Sequence, residues 1–139
     1  MKTILIVDDD QKTAAGLIIR LKAAGYRVLT ATDGIEGLKL AIHHRPDLIV
    51  MDIWMPFGVG ILTAQRLKHI GLANVPVIFV TGSRRQELWA IAEEVEPAGF
   101  FEKPYDAKEL LGRIEVLLAQ AGSLPRPPQL PPSSPTLQP

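Results

Sequence analysis

A chain of 139 residues, 47% of them hydrophobic, is long enough for one domain with a real core. Fifteen basic residues balance fifteen acidic ones, so no net field argues for direct contact with nucleic acid or an anionic membrane, and recognition must be local. The lack of cysteine excludes disulfides, thiol catalysis and cysteine-bound zinc, and no apolar run is long enough for a signal-peptide core or a membrane span. A cytoplasmic protein with no membrane insertion is the expectation.

The elements follow in order. Thr3-Ile4-Leu5-Ile6-Val7 reads as a buried strand that ends in Asp8-Asp9-Asp10. Ala14, Leu17, Ile18 and Leu21 stripe a first helix that Asp10 is placed to cap and Gly25 to end. Arg27 to Thr30 is a short strand. Asp33 is the N-cap of a second helix with Ile35, Leu38 and Ile42 expected inward, stopped by Arg45-Pro46. Asp47 to Asp52 is an apolar run that carries a carboxylate to its very end. Gly58 and Gly60 make a loop before a helix from about Ile61 to Ile70, closed by Gly71. Pro76 to Val80 is a strand that delivers Thr81, and Leu88, Ile91, Ala92 and Val95 are expected to stripe a fourth helix ending at Pro97. Gly99 to Glu102 forms the fifth strand before Lys103-Pro104, and Leu110, Leu111, Ile114, Leu117 and Leu118 stripe the last helix.

Five strands alternating with five helices imply an α/β domain with a doubly wound parallel sheet and right-handed crossovers. A flavodoxin-like (βα)5 arrangement with strand order 2-1-3-4-5 puts the topological switch point between the first and third strands, where Asp8, Asp9 and Asp52 would meet. The domain is expected over residues 1–122. Residues 123–139 hold seven of the twelve prolines, with Arg126 the sole charge, and read as a Pro-rich disordered tail. Pro128-Gln129-Leu130-Pro131 has a P-x-x-P spacing, which such a composition also produces without function.

Clustered carboxylates repel one another and so either raise their pKa values or recruit a cation, and hard oxygen donors select Mg²⁺. Asp52 would then be the nucleophile toward a phosphoryl group, with Lys103 and Thr81 serving the equatorial oxygens.

Ile6-Val7-Asp8-Asp9-Asp10, the D-x-x-M-P of Asp52 to Pro56, Val80-Thr81 and Glu102-Lys103-Pro104 together resemble, in order and spacing, the receiver domain of two-component response regulators. The resemblance covers Lys2 to about Ala121. It implies that Asp52 is the phosphoacceptor, that Asp9, Asp52 and the backbone carbonyl of Trp54 ligate Mg²⁺, and that Asp8 acts through coordinated water. Thr81 becomes the switch hydroxyl that moves toward the phosphoryl group, Lys103 the cation that pairs with that group and Phe100 the switch aromatic, with a cis peptide between Lys103 and Pro104. The implied partners are a sensor histidine kinase or histidine phosphotransfer protein, and a downstream protein target on the face of the fourth helix, fifth strand and last helix. A homodimer is compatible with this reading. The expectation is a signalling protein, not an enzyme, with no attached output domain. Trp54, Val59, Gly82, Glu96-Pro97-Ala98 and Phe100 depart from the common pattern without removing a catalytic atom.

Simpler readings exist for the same residues. Asp8 and Asp9 could be loop or cap residues, Phe100 and Phe101 could merely alternate faces of a strand, and Trp89 could be a casual exposed aromatic or a binding anchor. The rival functions are an aspartyl-phosphate-forming phosphatase, a non-phosphorylated protein-interaction module and a flavodoxin-like cofactor binder. The phosphatases typically carry a second aspartate two residues on, where Trp54 stands. A cofactor binder would want a phosphate-cradling loop where Asp8-Asp9-Asp10 would repel phosphate.

Overall fold

The computed structural model describes residues 1–55, 58–82 and 86–123, with the backbone alone for 54–55, 58–59, 86–88 and 121–123. Five parallel strands form one sheet: β1 (Thr3–Val7), β2 (Arg27–Ala31), β3 (Leu48–Asp52), β4 (Val77–Thr81) and β5 (Gly99–Glu102). Their order is 2-1-3-4-5, the flavodoxin-like arrangement expected. The helices are α1 (Gln11–Ala23), α2 (Gly34–His44), α3 (Gly60–His69), α4 (Gln86–Glu93) and α5 (Ala107–Ser123). A two-residue antiparallel ladder, Trp54 opposite Val59 and Met55 opposite Gly58, follows β3.

Alternation along the strands divides the core in two. Leu5, Val7, Ile49, Met51 and Phe79 face one side, where α2, α3 and α4 lie, and Ile4, Ile6, Leu48, Val50, Ile78 and Val80 face the other, under α1 and α5. Both faces of β1 and β3 are therefore dry, which is why these strands read as unbroken apolar runs.

The caps match the sequence. The Asp10 carboxylate accepts from the Thr13 amide, and that of Asp33 accepts from the Glu36 amide, each satisfying an otherwise orphaned donor. Glu36 reaches back to accept from the Thr32 amide at 2.8 Å. At the opposite edge of the sheet, the Thr3 amide donates to the Asp47 carboxylate at 2.7 Å and the Asp47 amide donates to the Thr3 carbonyl at 2.8 Å.

Two helix faces differ from expectation. Ile35 and Ile42 are 59% and 49% exposed, whereas Gly37 and Ala41 are the buried residues of α2, with Leu38 and Leu40 half-buried beside them. A Cβ at Gly37 would lie 2.8 Å from a Val7 methyl, so α2 lies directly on β1 through small residues and turns its branched ones outward. On α4, Ile91 is likewise exposed while Ala92 and Val95 are buried; the Leu88 side chain lies outside the described residues. The helix ends at Glu93 rather than at Pro97, because Glu94 and Val95 form a turn and Glu96 takes a positive φ of 52°. Helix α5 continues through Ser123, and residues 124–139, with the P-x-x-P match, lie outside the described residues.

Candidate functional site

Val7 of β1 stands opposite Met51 of β3, so Asp8 and Asp52, each one residue further, leave the sheet side by side. Asp8 is 1% and Asp52 4% exposed, while Asp9 is open to solvent. One carboxylate oxygen from each of the three lies within 4.8 Å of the others. The loop that holds them is itself fixed: the Asp10 amide donates to Asp8 Oδ1 at 2.8 Å, and Gln11 Nε2 donates to the Asp8 carbonyl at 2.5 Å.

Lys103 reaches the same point from β5. Its amide donates to the Thr81 carbonyl at 2.8 Å, and the next peptide bond, to Pro104, is cis. Lys103 Nζ lies 2.9 Å from Asp8 Oδ2 and 2.9 Å from Asp52 Oδ2. Burial acts to lower the pKa of this ammonium, but the hydrogen bonds and negative charges of Asp8 and Asp52 outweigh it and hold the lysine above its usual value. Tyr105 is half-buried nearby, and burial, then the charge on Asp8, pushes its phenol up. Three carboxylates against one ammonium leave negative charge in excess. The donor set, all carboxylate oxygen and partly open at Asp9, fits a hard divalent cation such as Mg²⁺.

Asp52 stands opposite Val80, and Thr81, 1% exposed, follows at the same edge of the sheet between β3 and β5. Sequence reasoning placed Gly60 in a loop; it is the first residue of α3, and a Cβ there would collide with the Asp52 backbone carbonyl. The Gly60 amide donates to the Ile53 carbonyl at 2.6 Å, so only glycine lets α3 start this close to the nucleophile strand. Gln11 and Tyr105 were also missed, since their roles depend on which loops meet.

Phe100 is not among the carboxylates. It stands opposite Phe79 on the α4 side of the sheet, while Phe101 packs into the other core, so the two do alternate faces. The Phe100 ring lies 5.7 Å from Phe79 at 42°, and 5.5 Å from the Trp89 indole at 8°, a parallel stack. Trp89 is thus half-buried against the sheet rather than standing off the domain. Trp54 sits in the short ladder two residues after Asp52; Pro56, Ser83 and Arg84 lie outside the described residues.

The chain matches the family model of the response regulator receiver domain over residues 4–115. The DNA-binding dual master transcriptional regulator RpaA of Synechocystis sp. is 34% identical over 129 residues, which cover 91% of this chain and 53% of that protein. The phosphate regulon transcriptional regulatory protein PhoB of Pseudomonas aeruginosa is 32% identical over 122 residues, 87% of this chain and 53% of that one. The chain therefore spans about half the length of the curated relatives it matches. Among solved structures, the CheY-like receiver domain protein of Methanospirillum hungatei gives a TM-score of 0.82 at 26% identity over 88% of this chain and 97% of its own. The non-phosphorylated HemR receiver domain of Leptospira biflexa gives 0.78 at 30% identity over 93% and 100%.

Proposed function

The chain belongs to the response regulator receiver domain family, and from that premise we propose that Asp52 accepts a phosphoryl group from a sensor histidine kinase or a histidine phosphotransfer protein. The observation that carries this reading is the Lys103 ammonium held 2.9 Å from both Asp8 and Asp52 at a buried strand end. An Asp52 carboxylate oxygen attacks phosphorus, the bond from phosphorus to the donor nitrogen breaks, and an acyl phosphate forms on Asp52. Asp9, Asp52 and the Trp54 carbonyl would hold Mg²⁺, with Asp8 acting through its water, and the ion when bound would supply positive charge to the transferring oxygens. Lys103 exchanges its bond to Asp52 for one to a phosphoryl oxygen while keeping Asp8. The Thr81 hydroxyl, at the same edge, then moves toward the new group, and Phe100 responds on the adjoining strand.

The family is a signalling module, and we assign the output to the face of α4, β5 and α5, toward a downstream protein. The chain's balanced charge supports protein partners over direct nucleic acid contact. Among the described residues no helix is long and apolar enough to cross a membrane. A cytoplasmic location suits a kinase-coupled receiver. We place the receiver at residues 1–122, with α5 running one residue further to Ser123, and treat the rest as a tail outside its chemistry.

Acetyl phosphate with Mg²⁺ tests the assignment. One base-labile phosphoryl group should appear in the mass of the intact chain, and Asp52→Asn should abolish it. Equal labelling of that variant would overturn the assignment.

A further inference from the structure

Helix α4 is eight residues long, and among its described side chains the buried one is the small Ala92, followed by Val95 in the turn beyond it. Ala92 by itself contributes little to holding the helix, since apolar stabilisation scales with the area removed from water. The large described side chain that ties α4 to the sheet is Trp89, whose indole lies flat on Phe100. Phe100 is in turn backed by the fully buried Phe79. The three rings form a continuous column from the core, through β5, to the helix, with Phe100 in the middle. Phe100 cannot change its rotamer without opening the stack on Trp89 or displacing α4.

We infer that Trp89 is a positioning residue that clamps Phe100 in its resting orientation and so sets how much phosphoryl binding is needed to switch the α4 face. The inference rests on the reading of Asp52 and Phe100 given above. β5 connects the two ends of the device: Phe100 lies three residues before Lys103, whose amide is bonded to the Thr81 carbonyl. If the stack exists only in the resting state, removing it lowers the cost of leaving that state, and a ligand that prefers the switched state binds more tightly. The gain should match one aromatic pair, roughly two- to tenfold in affinity.

Beryllofluoride with Mg²⁺, titrated into the full chain, supplies the test. Trp89→Ala should lower the half-saturating concentration by roughly two- to tenfold. Trp89→Leu, which keeps bulk without a flat ring, should do the same, and Trp89→Phe should restore the wild-type value. Loss of melting temperature without a change in half-saturation would mean that Trp89 is merely structural, and an unchanged or raised half-saturation in the folded Ala and Leu variants would overturn the clamp. In a chain labelled with 5-fluorotryptophan, the ¹⁹F line removed by Trp89→Phe should shift when beryllofluoride binds; a line that stays in place at saturation also overturns it. Asp52→Asn separates the two layers of argument. Wild-type binding that persists in Asp52→Asn, or is absent altogether, removes the phosphoacceptor reading and the clamp with it. Binding that depends on Asp52 but ignores Trp89 removes the clamp alone.

Discussion

The two faces of the sheet are built on different principles. Under α1 and α5 the contacts are large: Leu17 and Leu21 from one helix meet Leu110, Ile114 and Leu118 from the other above Ile4, Ile6 and Val50. On the other face α3 brings Ile61 and Leu67, but the described buried contacts of α2 and α4 are small, Gly37, Ala41 and Ala92, and there the sheet supplies the bulk through Val7, Met51 and Phe79. A face that interlocks large side chains resists sliding, because every displacement opens a void. A face of small residues allows close approach and adjusts more readily. The proposed switching surface borders the second kind.

The sharpest way to break this contrast is to truncate the large contacts. Leu17→Ala should cost about 2–5 kcal/mol, since Leu17 is fully buried and its neighbours are too rigid to fill the void. Urea unfolding would read this directly, and a loss under about 1 kcal/mol would mean the α1 face is as adaptable as the other. On the small-residue face the damaging change runs the other way. Gly37→Ala pushes a methyl against Val7, whose branched side chain cannot easily rotate away. Overpacking of about 1–3 kcal/mol should exceed the roughly 1 kcal/mol that alanine gains as a helix former, leaving the variant less stable. A stabilised Gly37→Ala would show that α2 moves off the sheet at little cost. The smallest effect belongs to Ile42→Ser. Ile42 is half out in solvent on α2, so the unfolding free energy of the variant should stay within about 0.5 kcal/mol of wild type in the same urea titration. A larger loss would return Ile42 to the core where periodicity alone had placed it.

The same contrast explains what could be read in advance. Leucines at helical spacing announce a buried face, so the stripes of α1 and α5 were legible. A face of glycine and alanine gives no such signal, and the eye is drawn to the branched residues on the other side, as with Ile35, Ile42 and Ile91. The meeting of Asp8, Asp9, Asp52 and Lys103 was legible because strand ends and strand order follow from the βα alternation. The stack of Trp89 on Phe100 was not, because it joins residues of α4 and β5 whose relative rotation no periodicity encodes. The role of Gly60 was hidden for a similar reason: its constraint is a backbone carbonyl on another element.

The bonds between Thr3 and Asp47 fix the beginning of β1 at the edge of the sheet away from the carboxylates. Helix α5 leaves β5 at the carboxylate edge and runs back the other way; by Arg113 it is already level with the entry to β5, where the guanidinium donates to the Ala98 carbonyl at 3.0 Å. Its 17 residues give roughly 25 Å of axis, longer than the strands beneath it. The start of β1 and the end of α5 therefore both lie toward the far end of the domain. A reporter or affinity handle fused on either side should leave the approach to Asp52 open for a donor protein, which makes both ends suitable for immobilisation in phosphotransfer assays.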